Sequence, residues 1–237
     1  MPRISVIVPT LNEARTLDAT LDVLTQLPGV VEVIVVDGGS VDKTVPIARR
    51  HGVRLLHAER GRGRQMHAGA QAARGDVFWF VHADTHPPPD AATEIETALA
   101  RVNVSGGCFA VRFDSGSRQA RFLERLYARL RRLGLCYGDA TLFVRRGDYQ
   151  RAGGFRPIPL FEDLELAGRL RQRGRFVCLK AAVVTSARRF EGRRFVPVLI
   201  WWMILQLLYW VGVSPHALAR MYAPIRSRRR RRNSVRH

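Results

Sequence analysis

Two aspartates hold the first chemistry this sequence offers. Asp37 ends the apolar run at 30–36, and Asp84 follows the run at 77–81 by way of His82 and Ala83. Unbroken apolar runs of this length read as strands buried on both faces of a parallel sheet. All strand carboxyl ends in such a sheet lie on one side, so both carboxylates are delivered to one cleft. Glu13, in the loop after a first strand at 4–8, joins them there. A lone aspartate at a strand end usually just opens a turn. Two of them, with Gly38-Gly39-Ser40 after the first and His82 ahead of the second, suggest a site for a nucleotide and its divalent cation.

The elements that must position these groups follow from periodicity. Strands at 4–8, 30–36, 53–56 and 77–81 alternate with helical patterns, which predicts an α/β fold with a doubly wound, mostly parallel sheet flanked by helices. The second half reads as helices at 90–101, 118–133 and 161–173 and strands at 108–113, 140–144, 176–179 and 182–185. The run Arg60-Gly61-Arg62-Gly63-Arg64 precedes an Ala-rich helix whose amino end favours phosphate, and Arg64 is assigned to the nucleotide site. The third glycine of a dinucleotide fingerprint is missing there, which excludes a nicotinamide site. Glu162 and Asp163 open a helix, where acidic residues are favoured by the dipole whether or not they do chemistry. His67 reads as a satisfied helix histidine.

The chain has 237 residues, 46% of them hydrophobic, enough for one large domain or one domain with an appendage. A formal net charge of +19 implies polyanionic partners: nucleic acid, anionic lipid or phosphorylated substrates. No motif interleaves basic and aromatic residues, so nucleic acid is not expected. Cys108, Cys136 and Cys178 are far apart in the chain, which argues against a zinc knuckle or disulfide framework and fits a reducing compartment. The first residues have no signal-peptide shape.

The stretch at 196–213 is apolar all round except for Gln206 and rich in Trp and Tyr. Its length of about 18 residues meets the lower limit for a bilayer span. Basic clusters at both ends oppose a single crossing under the positive-inside rule and favour a helix lying in an anionic lipid surface. A core or dimer helix is the other reading.

At this point the motifs acquire a likeness. Pro9-Thr10-x-Asn12-Glu13, Val35-Val36-Asp37-Gly38-Gly39-Ser40, His82-Ala83-Asp84 and Glu162-Asp163 resemble, in order and spacing, the family-2 glycosyltransferases of the GT-A fold, over about residues 4–190. His-Ala-Asp-Thr, Gly-Arg-Gly-x-Gln-Met and Ser186-Ala-Arg-Arg189 resemble a bacterial subfamily, with His-Ala-Asp in place of Asp-x-Asp, that includes proteins described as carotenoid-acid glycosyltransferases.

The resemblance implies that Asp37 contacts the nucleotide base and that Pro9, Thr10 and Glu13 wall the base and ribose. Gly38-Gly39 would let the ligand lie close to the backbone, which puts Gly39 on the nucleotide-sugar side. It implies that Asp84 holds Mg²⁺ or Mn²⁺ on the diphosphate, with His82 either a ligand or a hydrogen-bonding neighbour. Asp163 matches the catalytic base, with Glu162 beside it. Arg188 and Arg189 are either diphosphate clamps or a solvated loop, and Gly138 and Asp139 are assigned to the acceptor side.

The expected division is a transferase domain at 1–190, a hydrophobic, membrane-associating helical segment at 191–225 and a basic tail at 226–237. The expected activity is inverting transfer of a sugar from a nucleotide-sugar donor to a hydroxyl or carboxyl of a lipid-like acceptor, such as a carotenoid acid or polyprenyl lipid. The expected location is the cytoplasmic face of the cell membrane. The alternative is a non-catalytic basic protein binding membrane or nucleic acid. A nucleotidyltransferase is disfavoured because Thr10-Leu11-Asn12-Glu13 stands where a Gly-rich basic loop would follow the first strand. Nothing in the sequence sets an oligomeric state.

Overall fold

A computed structural model describes residues 2–132, 135–187 and 195–222. Arg188, Arg189 and the basic tail therefore lie outside the described residues. The order is β1 (Ile4–Thr10), α1 (Leu17–Leu24), β2 (Val30–Asp37), α2 (Thr44–Arg50), β3 (Arg54–His57), α3 (Arg62–Ala72), β4 (Val77–Phe80), β5 (Thr85–His86) and α4 (Ala91–Leu99). Then follow β6 (Val104–Phe113), α5 (Arg118–Arg132), a 3-10 turn at Gly138–Ala140, β7 (Leu142–Arg145), α6 (Arg146–Arg151), α7 (Glu162–Arg171), β8 (Arg175–Thr185) and α8 (Phe195–Trp210).

One eight-stranded sheet runs β3-β2-β1-β4-β7-β6-β8-β5. β1, β2, β3 and β4 are parallel, as expected. The other half corrects the expectation of a mostly parallel sheet: β7 is antiparallel to both β4 and β6, and β5 is antiparallel to β8. The two strands expected near 176 and 182 are one strand, β8, parallel to β6 across a register shift.

β4 is buried on both faces, and the core divides there. Val77, Trp79 and Val81 pack with α1 and α4 on one side. Phe78 and Phe80 pack with α3 and α7 on the other, around Tyr149 and Phe155. Gly69 on α3 faces Ile7 so closely that a Cβ would lie 2.4 Å from its Cγ2, which explains how the helix nests on β1. The β6–β8 register also places Cys108 opposite Cys178, with the sulfurs 3.7 Å apart, and Cys136 joins Cys108 in the cluster beneath α5. All three are free thiols.

The hydrophobic appendage is overturned as well. No helix among the described residues is long and apolar enough to cross a membrane. α8 is built into the body instead: Phe195, Val198 and Leu199 pack toward α5, while Trp201, Leu205, Leu208 and Tyr209 pack around Phe161 and Leu164 at the start of α7. Gln206, the polar exception in the sequence, points inward, where the Tyr137 hydroxyl donates to its Oε1 at 3.3 Å.

Candidate active site

Parallel strands β1 and β2 end in register, Thr10 opposite Asp37, and the loops that follow them are tied together. The Asn12 amide donates to Ser40 Oγ at 2.8 Å, the Glu13 amide to Thr44 Oγ1 at 2.8 Å and the Ala14 amide to Asp42 Oδ2 at 3.2 Å. In return the Val41 amide donates to Asn12 Oδ1 at 2.9 Å. Asn12 reaches this geometry with φ 57°, a region asparagine tolerates.

Asp37 is the knot of this rim. It is buried, and its carboxylate accepts from Thr10 Oγ1 at 3.3 Å, from the amides of Gly39 and Ser40 at 3.0 and 2.8 Å, and from Ser40 Oγ. Gly39 is exposed and meets nothing around it; its φ of 92°, rather than close approach, calls for glycine. Pro9 and Thr10 are buried beneath the rim, and Glu13 is half-buried at the entry to α1.

Asp84 sits at the same sheet edge, on the turn after β4. Thr20 Oγ1 donates to the Ala83 carbonyl at 3.0 Å, and the Thr85 amide donates to the His82 carbonyl at 3.2 Å. Thr85 and Thr185 then join β5 to the carboxyl end of β8 through their hydroxyls at 3.1 Å. His82 and Asp84 are both half-buried. Ser186 and Ala187 follow β8 directly, and the Ala187 amide donates to Asp114 Oδ1 at 2.7 Å.

The acid pair is anchored differently. Phe161, at φ 63° and ψ 21°, is left-handed and turns the chain into α7. Glu162 and Asp163 are thus the first two residues of that helix and both are buried. Their partner is Arg62, the first residue of α3: its Nε donates to Glu162 Oε1 and its Nη2 to Asp163 Oδ2 at 3.3 Å. Gly63 makes this approach possible, since a Cβ there would lie 2.8 Å from the Arg156 carbonyl oxygen.

Burial pushes the Asp163 carboxyl up to about 7; Arg62 pulls against this, while Glu162 and Asp139 add to it. Burial works against the charge on Arg62, but Glu162 and Asp163 outweigh it and hold the guanidinium more firmly charged than usual. Glu162 Oε2 is buried with no hydrogen-bond partner among the described residues.

The amino end of α3 joins the two halves. One turn after Arg62, Gln65 Nε2 donates to the Thr10 and Val36 carbonyls at 2.7 and 2.8 Å, beneath the rim. A single helical turn therefore holds the β1–β2 rim with one residue and the acid pair with another. Sequence reasoning missed both Arg62 and Gln65. The Gly-Arg-Gly-Arg-Gln pattern was the signal for them, and only helical phase picks Arg62 from its neighbours. Arg64 turns outward and pairs with Glu59 on the surface. Asp139 accepts from the Tyr127 hydroxyl at 3.2 Å and lies near the acids, and Gly138 starts the 3-10 turn that carries it. His67 bonds the Tyr149 hydroxyl at 3.0 Å, the satisfied role expected of it.

Known proteins resemble this chain. The chain is similar to a PGL/p-HBAD biosynthesis glycosyltransferase of Mycobacterium bovis, 39% identical over 109 residues, a match covering 43% of this chain and 40% of that protein. It is also similar to an uncharacterized glycosyltransferase of Mycobacterium tuberculosis, 37% identical over 82 residues, covering 34% and 36%. The matches thus span less than half the length of these curated relatives.

Among solved structures, a mannosyltransferase from Pyrobaculum calidifontis in complex with GDP-Man and Mn²⁺ superposes with a TM-score of 0.68 at 21% identity, covering 90% of this chain and 66% of that one. Glucosyl-3-phosphoglycerate synthase from Mycobacterium tuberculosis, in complex with Mn²⁺, UDP and glucosyl-3-phosphoglycerate, gives a TM-score of 0.66 at 22% identity, covering 90% and 81%. At such identities the likeness establishes the fold, a GT-A-like mixed sheet with flanking helices. Residues 5–150, which hold the rim, the β4 turn and Arg62, match a family profile, and by that match the chain belongs to glycosyl transferase family 2.

Proposed function

We propose that this protein transfers a sugar from a nucleotide-sugar donor to an acceptor hydroxyl or carboxyl, with inversion at the anomeric carbon. The observation that carries this reading is the α3 turn, which fastens the β1–β2 rim through Gln65 and the acid pair through Arg62. Pro9, Thr10, Glu13, Asp37 and Gly39 frame the nucleoside, and His82 and Asp84 face the diphosphate. Asp163 takes the acceptor's proton as its oxygen attacks. A base must hold the proton weakly enough to pass it on and strongly enough to take it, and a carboxyl raised to about 7 is poised for that near neutrality. Glu162 shares Arg62 with it and keeps the guanidinium in place. One base with no covalent nucleophile gives a single displacement and hence inversion.

The residues present fit a divalent cation held jointly with the donor. No group of three His, Cys, Asp or Glu side chains suited to a metal gathers among the described residues. Asp84, with His82 beside it, offers one or two ligands, and Mg²⁺ or Mn²⁺ commonly takes its remaining ligands from phosphate and water. When bound, the ion offsets charge on the leaving diphosphate. A thermal-shift screen with UDP-glucose and GDP-mannose tests the site. The expected result is a rise of several degrees in Tm with one donor and Mn²⁺ together, little with Mn²⁺ alone, and loss of the rise in Asp84→Ala. No rise with any nucleotide sugar would overturn the reading.

For the acceptor we favour a lipid-like compound, of the carotenoid-acid or polyprenyl kind named by the subfamily resemblance. Val196, Ile200, Met203 and Leu207 form an exposed apolar stripe on α8, on the side of the helix away from the start of α7, and offer a face to an apolar acceptor or to the lipid that carries it. Peripheral contact with an anionic lipid surface belongs to the same reading. Co-sedimentation with phosphatidylglycerol vesicles, weaker with phosphatidylcholine and reduced in Leu207→Glu, is the expected result. Absence of sedimentation with both would remove the lipid surface from the proposal.

A further inference from the structure

Phe161 is an unusual residue to find left-handed. Glycine and asparagine take this conformation readily, whereas a bulky side chain holds it only where surrounding contacts over-determine the backbone. Here they do. The Phe161 ring is buried and lies on the Tyr209 ring of α8, centroids 4.7 Å apart and planes inclined by 32°. Leu205 and Leu218 complete the pocket together with Leu164 of α7. The first helical bond of α7 runs from the Glu165 amide to the Phe161 carbonyl at 2.9 Å, so the direction in which Glu162 and Asp163 leave the turn is fixed at Phe161.

A second line runs from α8 to the same acids. Gln206 accepts from the Tyr137 hydroxyl; the Tyr137 ring lies 5.6 Å from that of Tyr127; and the Tyr127 hydroxyl donates to Asp139, which lies near Asp163. We propose that Tyr209 is a positioning residue for the base, holding Phe161 in its left-handed turn so that Asp163 faces the acceptor and Arg62 at once. The inference rests on Asp163 being the base. It gives α8 a part in the reaction although none of its residues touches the reacting atoms.

The test is Mn²⁺-dependent hydrolysis of UDP-glucose or GDP-mannose by the full chain, with water as acceptor and nucleoside diphosphate release as the readout. Tyr209→Leu is expected to lower kcat at least tenfold, leave the donor KM within twofold and displace the rising limb of the pH profile. Tyr209→Phe, which keeps the ring, is expected to restore kcat and the profile. Leu205→Ala, a cavity in the same cluster that spares the ring pair, is expected to lower Tm while kcat and the profile stay close to wild type. Phe161→Gly removes the ring and lets the turn leave the left-handed region, since glycine takes other conformations as readily; it should match Tyr209→Leu and serves if that variant does not fold. Wild-type kcat and profile in Tyr209→Leu or Phe161→Gly would overturn the proposal, as would an equal loss of kcat in Leu205→Ala. Asp163→Asn separates the two levels. Full turnover there removes the base assignment itself, whereas an inactive Asp163→Asn beside a wild-type-like Tyr209→Leu removes only the role of Tyr209.

Discussion

Asp163→Asn should abolish most sugar transfer and at the same time make the protein more stable at alkaline pH. Loss of a general base typically costs about 10²–10⁴ in rate. The stability effect follows from burial, which raises the carboxyl to about 7 in the fold from an ordinary value near 3.8. Between those values the folded chain holds a proton that the unfolded chain has released, so stability falls as pH rises through this window. Above about 7 the folded protein carries the full cost of an ionised buried acid, on the order of 4 kcal/mol. Asparagine has no such titration, and Arg62 keeps Glu162 as its partner. Urea-unfolding midpoints at pH 5 and pH 8 should therefore diverge for the wild type and stay together for Asp163→Asn. Parallel behaviour of the two proteins would mean that Asp163 is not the strained acid.

Replacing Arg62 with methionine should have the second largest effect, and its size depends on pH. The substitution leaves Glu162 and Asp163, both buried, without their counter-charge. Two like charges in one buried site cannot both ionise easily, so the proton affinity of Asp163 climbs further. Turnover at pH 7 should fall at least tenfold, and the rising limb of the pH profile should move upward by a unit or more, with recovery toward pH 9. Breaking a buried pair costs several kcal/mol; the Arg62 side chain is about a third open to solvent, so about 2 kcal/mol of stability at pH 8 is a fair expectation. Equal losses of turnover at pH 7 and pH 9 would show that Arg62 acts on something other than the base.

What the sequence disclosed tracks the range over which each signal works. The rim was legible because parallel strands share an edge: apolar runs ending at Pro9-Thr10 and Asp37 must place those residues side by side. The acid pair was legible as a helix start, but its partner was not. Arg60, Arg62 and Arg64 look alike in the chain, and only the phase of α3 turns Arg62 inward and Arg64 out to Glu59. Strand direction beyond β4 was hidden too. Leu142–Arg145 has the same apolar character whichever way it runs, so antiparallel β7 carried no local mark. The stretch at 196–213 misled for a related reason. A helix apolar on all sides looks the same whether lipid or protein covers it, and its one informative residue was Gln206, whose partner Tyr137 lies 69 positions away. Cys108 and Cys178 met across the β6–β8 register although 70 residues apart, a distance at which spacing rules say nothing.

The lacing of residues 10–14 to residues 37–44 bears on how this chain can change. Thr10, Asn12, Glu13 and Ala14 each have their partner in the other segment, in both directions of donation. A chimera that imports one loop from a relative leaves donors stranded opposite acceptors of another parent. The two segments are in effect a single cassette, inherited or exchanged together.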